Sequence, residues 1–212
     1  MRQVDPQQTS RAVSYQLYID APMPMVTLFK TIDITRLVRL SRKGYPLNML
    51  LCYCVAAAAD QVPEFRLLPV GKKLMEYDRI GVNVIVANRS GGINSCDIPF
   101  QRDLEAFARD YRALTAQVRD SCENYDLEEH MIVGTSSLAH YDVDGAVNFY
   151  SGLFNNPFLI WGKYRRRGLR KQLKLSFQFH HVQMDGEQAC RFLDLIQREI
   201  DRILRQHGPG KI

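Results

Sequence analysis

The clearest periodicity in the chain is the alternation over Lys171–His181, where Leu173, Leu175, Phe177 and Phe179 alternate with Lys174, Ser176 and Gln178. Period two sends successive side chains to opposite faces of an extended chain, so this segment predicts a β-strand with one apolar face. A different period follows at once. Ala189, Phe192, Leu193, Ile196, Ile200, Ile203 and Leu204 recur at three-and-four spacing, which predicts an amphipathic helix over Glu187–Gln206. Runs rich in β-branched and aromatic residues predict further strands at Met25–Ile34, Leu67–Tyr77, Gly81–Ala87, His130–Ser137 and Val147–Tyr164. Helical spacing returns over Asp103–Arg119, with Leu104, Phe107, Ala108, Tyr111 and Leu114 on one face. Asp33 and Thr35 mark a helix start ahead of Leu37, Val38 and Leu40. Pro46 opens the next helix, PLNMLLCYCVAAAADQ, which is apolar nearly all round and therefore buried. Strands and helices interleave, so the fold class is α/β or α+β with a sizeable mixed sheet.

No repeat and no Pro/Gly/Ser linker divides the 212 residues, which predicts one domain over 1–212. With 46% apolar and 24% charged residues the composition excludes disorder. Every apolar run is cut by Arg, Lys or Asp well short of the roughly 18 residues of a membrane span. The opening MRQVDPQQTSRAV lacks the apolar core of a signal peptide. Five cysteines, an odd number with Cys52 and Cys54 in an apolar segment, predict reduced thiols and a cytoplasmic location. The net charge of +5 permits an anionic partner. The basic stretch Lys163–Lys174, KYRRRGLRKQLK, reads either as a nucleic-acid surface or as a solvated hairpin tip. Gly168, lying between two strand patterns, favours the hairpin, and no nucleic-acid partner is expected.

The densest chemistry is FHHVQMDG at Phe179–Gly186. Continued alternation puts His181 on the apolar face and His180 on the polar one, so the two cannot share a metal ion and His181 is expected in the dry pocket. A neutral imidazole at a strand end is suited to proton abstraction near neutral pH, and partial burial favours that neutral form. The competing assignment is a core histidine satisfied by hydrogen bonds. Asp185, four residues on, fits the N-cap of the last helix, with Gln188 completing a capping box, and can also pair with a distant arginine. Cys52 and Cys54 have metal-like spacing, but no second Cys/His pair completes a site, so no metal is expected.

This H-H-x-x-x-D-G segment, ending a strand and opening a helix, resembles the signature of the chloramphenicol acetyltransferase family. A shorter H-x-x-x-D-G form is shared by acyltransferases that use coenzyme A or carrier thioesters. IDIT (Ile32–Thr35), KGYP (Lys43–Pro46), PEFR (Pro63–Arg66), Tyr77–Asp78 and GKY (Gly162–Tyr164) are similar to further family segments and occur in the family's order. The total length also resembles a member without an added domain. The resemblance implies a two-layer α/β fold with a mixed sheet covered by helices, assembled as a homotrimer with active sites at subunit interfaces. It implies acetyl-CoA-dependent O-acetylation of chloramphenicol or a related hydroxylated small molecule, by direct transfer in a ternary complex, and with it antibiotic resistance. On the matching positions His181 is the general base, Asp185 and Arg11 (in SRAVSYQLY) brace the site, and Lys43, Lys163 and Tyr164 surround the coenzyme A nucleotide. Lysine suits phosphate as a mobile point charge, and a tyrosine ring can lie against adenine.

One position departs from the pattern. The family places a serine after an N-F-D-like segment, where its hydroxyl supports the tetrahedral oxyanion. Counting back without gaps from GKY gives HYDVD, His140–Asp144, with Val143 at that place. Valine donates no hydrogen bond, and losing one oxyanion donor costs about 100- to 1,000-fold in rate. Thr135, Ser136 and Ser137 are the neighbouring hydroxyls. The departure leaves two alternatives: a member with a different acceptor, or a trimeric binding protein that keeps the fold without efficient chemistry.

Overall fold

The computed structural model of the chain describes residues 1–150 and 152–207, excepting the side chains of 204–207. The expected domain limit at 212 and the side chain of Leu204 lie outside the described residues. In chain order the elements are β1 (Arg2–Val4), α1 (Ala12–Tyr18), β2 (Met25–Asp33), α2 (Thr35–Ser41), α3 (Leu47–Ala59), β3 (Leu67–Val70) and β4 (Lys73–Glu76). There follow β5 (Arg79–Ala87), β6 (Ile93–Pro99), α4 (Leu104–Ser121), β7 (His130–Ser137), β8 (Phe158–Trp161), β9 (Arg165–Arg167), β10 (Arg170–His180) and α5 (Gly186–His207).

Seven strands make a mixed sheet in the path order β2-β10-β8-β7-β5-β6, with β9 hairpinned onto the start of β10. β10 is antiparallel to β2 and β8, whereas β7 is parallel to both β8 and β5. The fold is α/β, as the interleaved periods predict. β1, β4 and β3 form a separate three-stranded sheet. Its Leu67 and Leu74 pack with Val182 against Tyr15, Tyr18 and Ile19, which fastens α1 beside the end of β10.

One face of the large sheet carries the core. Leu173, Leu175, Phe177 and Phe179 are all buried there, Phe177 meeting Phe65 and Phe192 of the helical layer and the Phe179 ring beside it. The alternation expected of β10 is therefore realised on that face. Every residue of α3 from Met49 to Ala59 is buried, because α2, α4, α5, β5 and β7 surround it. Asp103 caps α4 by accepting from Ala106 N at 2.7 Å. No described helix is long and apolar enough to cross a membrane.

Several segments differ from their sequence pattern. Leu67–Tyr77 is a tight hairpin and not one strand, turning through Gly71 at φ +56°, where L side chains are strained. Of Val147–Tyr164 only Phe158–Trp161 is a strand, and Ser151 lies outside the described residues. Pro157 and Gly152 break that run, and side-chain amides replace ladder bonds: Asn155 donates to Pro69 O and Asn156 to Ile132 O. β1, β6 and α1 carry too short or too polar a pattern to stand out in the sequence. The basic stretch is the expected hairpin, turning through Gly168 at φ +58°.

Candidate active site

Arg11 stands at the N-cap of α1, and its side chain is only 3% exposed. Its guanidinium donates from Nη1 and Nη2 to the two carboxylate oxygens of Asp185, each at 2.8 Å. Nε donates to Val182 O at 2.9 Å and Nη2 to His181 O at 2.9 Å, while Nη2 also meets Ser14 Oγ at 2.8 Å. The planar fork thus ties the carboxylate to the backbone on both sides of His181. Arg11, mainly through its hydrogen bonds, holds the Asp185 carboxyl below the usual range. Because Arg11 occupies this carboxylate, only half of the expected capping box is present, with Asp185 N donating to Gln188 Oε1 at 3.0 Å.

His181 lies just beyond β10, its backbone N donating to Pro24 O. Its ring stacks on Tyr18, centroids 4.1 Å apart and 13° from parallel. Nδ1 is 3.1 Å from Asp185 Oδ1 but out of line for a hydrogen bond. Tyr18 is the contact that sequence reasoning missed. The available signal is spacing, since Arg11, Ser14 and Tyr18 fall at three and seven residues along one helical face.

The expectation that His181 is the drier histidine is wrong. His180 is 1% exposed, whereas 29% of the His181 side chain is open. The outer face of β10 is covered at this end by the segment around Gly145–Tyr150. Ala146 N donates to Ser176 Oγ, Gln178 Nε2 donates to Asn148 O, and the Tyr150 ring meets His180 edge-on. Polar residues on a strand mark a solvated face only when nothing packs over it, and here Gly145–Tyr150 does. Burial, reinforced by the neighbouring His181, pushes the His180 pKa down to about 4. Its Nδ1 accepts from Val182 N at 3.1 Å. The two histidines still face different partners, and among the described residues no three His, Cys, Asp or Glu side chains could hold a metal ion.

Lys163 and Tyr164 line a cleft of about 110 Å³ together with Ser137, Asn48 and Trp161. Lys171 lies over the Tyr164 ring, Nζ 5.5 Å from its centroid. Lys43 does not line that cleft and is exposed on the turn after α2, next to Gly44, whose carbonyl accepts from Arg112. Val143 packs on Gly162, where an added Cβ would stand 2.6 Å from Val143 Cγ2. Arg165 pairs with Asp142 and Asp144 on either side of Val143, so the basic hairpin pins this turn. Of the neighbouring hydroxyls, Thr135 is buried and donates to Asn83 O at 2.7 Å.

A cavity of about 480 Å³ opens on the sheet face opposite the helices. Its floor is one register row across five strands: Gln178, Phe158, Gly134, Asn83 and Asp97. Glycine is required in that row, because a Cβ on residue 134 would meet Phe158 Cδ2 at 2.3 Å. Neither His181 nor Asp185 lines the cavity. Within one chain, the clamped imidazole and this cavity are therefore separate.

The sequence profile of the chloramphenicol acetyltransferase family matches residues 1–197. Chloramphenicol acetyltransferase 2 of Escherichia coli is 28% identical over 190 residues, spanning 84% of this chain and 87% of the relative. A solved chloramphenicol acetyltransferase superposes with a TM-score of 0.80 at 17% identity, covering 94% of this chain and 99% of the other. A probable dihydrolipoamide acetyltransferase from Listeria monocytogenes shares the fold at TM-score 0.68 and 18% identity, over 91% and 88% of the two chains. With the profile running from the first strand to Gln197 in α5, the chain belongs to the chloramphenicol acetyltransferase family and is an acyltransferase.

Proposed function

We propose that this protein moves an acetyl group from acetyl-CoA to a hydroxyl of a small molecule, chloramphenicol or a relative, with His181 as general base and 1–212 as one catalytic domain. The imidazole removes the hydroxyl proton as the oxygen attacks the thioester carbonyl. The tetrahedral adduct then collapses, and coenzyme A leaves as the thiol after taking up a proton. No acyl group is held on the protein. The observation that carries this reading is the clamp on His181, with the Tyr18 ring against its face and Arg11 gripping both Asp185 and the His181 carbonyl. A general base works through geometry before basicity, and this one has little freedom left.

Lys163, Tyr164 and Lys43 are the proposed contacts of the coenzyme A nucleotide, and the cleft lined by Lys163 and Tyr164 supports this for those two. A homotrimer is proposed because the clamp and the 480 Å³ cavity do not meet within one chain. Pairing the clamp of one subunit with the cavity of its neighbour completes a site. The five unpaired cysteines support a cytoplasmic setting.

Replacing His181 with Ala abolishes acceptor-dependent thiol release from acetyl-CoA in the purified protein, and turnover retained at the native rate refutes the role of His181. A second reading has one observation in its favour. Val143 offers no donor at the expected oxyanion position, as a trimeric binding protein of the same fold would have it. Acceptor binding with no thiol release from the native protein favours that reading.

A further inference from the structure

Resting on the acetyltransferase reading above, we propose that the 480 Å³ cavity takes an acceptor that carries a protonated amine beside its reacting hydroxyl, such as an amino alcohol or amino sugar. The argument starts from charge. Asp97 stands on the cavity floor and is 6% exposed. Its Oδ1 accepts from Asn83 Nδ2 at 2.7 Å and its Oδ2 from Leu127 N at 3.0 Å. Each oxygen keeps capacity for another donor. Asp126 lines the same end, exposed and without an ion-pair partner among the described residues. No Lys, Arg or His is among the described lining residues.

Two carboxylates near one another, one of them out of water, each make ionisation of the other costlier, and the Asp97 carboxyl is accordingly raised, first by burial and also by Asp126. An ammonium group between them relieves that repulsion and fills the open acceptor positions. A neutral amide supplies at most one weak donor and leaves the repulsion in place, so the site discriminates against it. Phe149, Phe154 and Phe158 supply apolar lining in the same cavity, which fits an acceptor with a hydrocarbon or ring face. The reaction is still ester formation, and the amine serves only to bind.

The test compares chloramphenicol with its deacylated amine, which keeps the same hydroxyls and replaces the neutral amide by an ammonium group. Ester formation and Kd are measured for both with the native protein, Asp97→Asn and Asp126→Asn. The native protein is expected to favour the amine by about 30-fold or more in Kd and in kcat/KM, the low end for truncating a buried charge pair. Asp97→Asn removes most of that preference, and Asp126→Asn, at the rim, part of it. Equal Kd values for the two compounds, or an unchanged ratio in both variants, overturn the inference while leaving the acetyltransferase reading intact. Amine-selective binding without any ester formed has the opposite meaning: the inference stands and the acetyltransferase reading fails. Should Asp97→Asn not fold, the ratio in Asp126→Asn decides.

Discussion

Replacing His180 with Asn measures how dry the covered outer face of β10 is. Asn can present Oδ1 to Val182 N where Nδ1 of His180 now accepts, so the local backbone contact survives while the titrating ring is lost. The imidazole has its pKa pushed from 6.5 to about 4 by burial. Between those values the unfolded chain binds a proton that the folded chain does not, so folding stability rises with pH across the window. The stability is fully present above the unfolded pKa and is lost as pH falls toward the folded one. Each unit is worth about 1.4 kcal/mol, which bounds the whole effect near 3 kcal/mol and leaves about 2 kcal/mol of it lost on going from about pH 8 to about pH 5. Urea midpoints at fixed protein concentration, with the slope checked for constancy, read this directly. At about pH 8 the variant is less stable by about 1 kcal/mol, because the ring packed against Tyr150 is gone. By about pH 5 the order is reversed. Asp97 and other carboxyls titrate in both proteins and cancel in the difference. Parallel pH profiles refute the dry-face account of His180.

Three further outcomes are expected. Arg11→Met removes the fork from Asp185 and from the carbonyls of His181 and Val182, for a loss of about 3 kcal/mol in denaturant titration, moderated because the Asp185 side chain is 44% exposed. That loss narrows below about pH 4, since a carboxyl held low stabilises only above its ordinary value and ceases to as pH falls. Gly134→Ala forces the Phe158 ring off the cavity floor, lowers stability by about 1–3 kcal/mol, and raises the acceptor KM while the acetyl-CoA KM is unchanged. Val143→Ser returns a donor beside Gly162 and raises the initial rate of thiol release by about 10-fold or more, and an unchanged rate removes Val143 from any oxyanion role.

The sheet and its helical cover are legible in the sequence wherever one period runs long enough. β10 and α5 show this, because each buries one continuous face against the same core. Asp185 and Arg11, 174 residues apart, are readable as a pair only through family resemblance, since no local pattern reports a contact of that span. The reversal at His180 and His181 has a plain physical origin. Alternation states which residues share a face, but whether that face is wet depends on Gly145–Tyr150, whose own sequence looks like a strand. The cavity was invisible for a similar reason. Gln178, Phe158, Gly134, Asn83 and Asp97 meet only through strand register, and register across five strands is a tertiary fact.

That row also bears on how such a protein changes over generations. Each of its five residues stands on a different strand, and none belongs to the clamp formed by Arg11, Asp185, Tyr18 and His181. On the proposed assignment, a substitution in the row alters what the cavity accepts without touching the clamp around His181. Under the proposed function, acceptor choice is thereby separated from the clamp, and acceptor range can change one strand position at a time. Gly134 is a costly position for such change, because any larger side chain there must first displace the Phe158 ring.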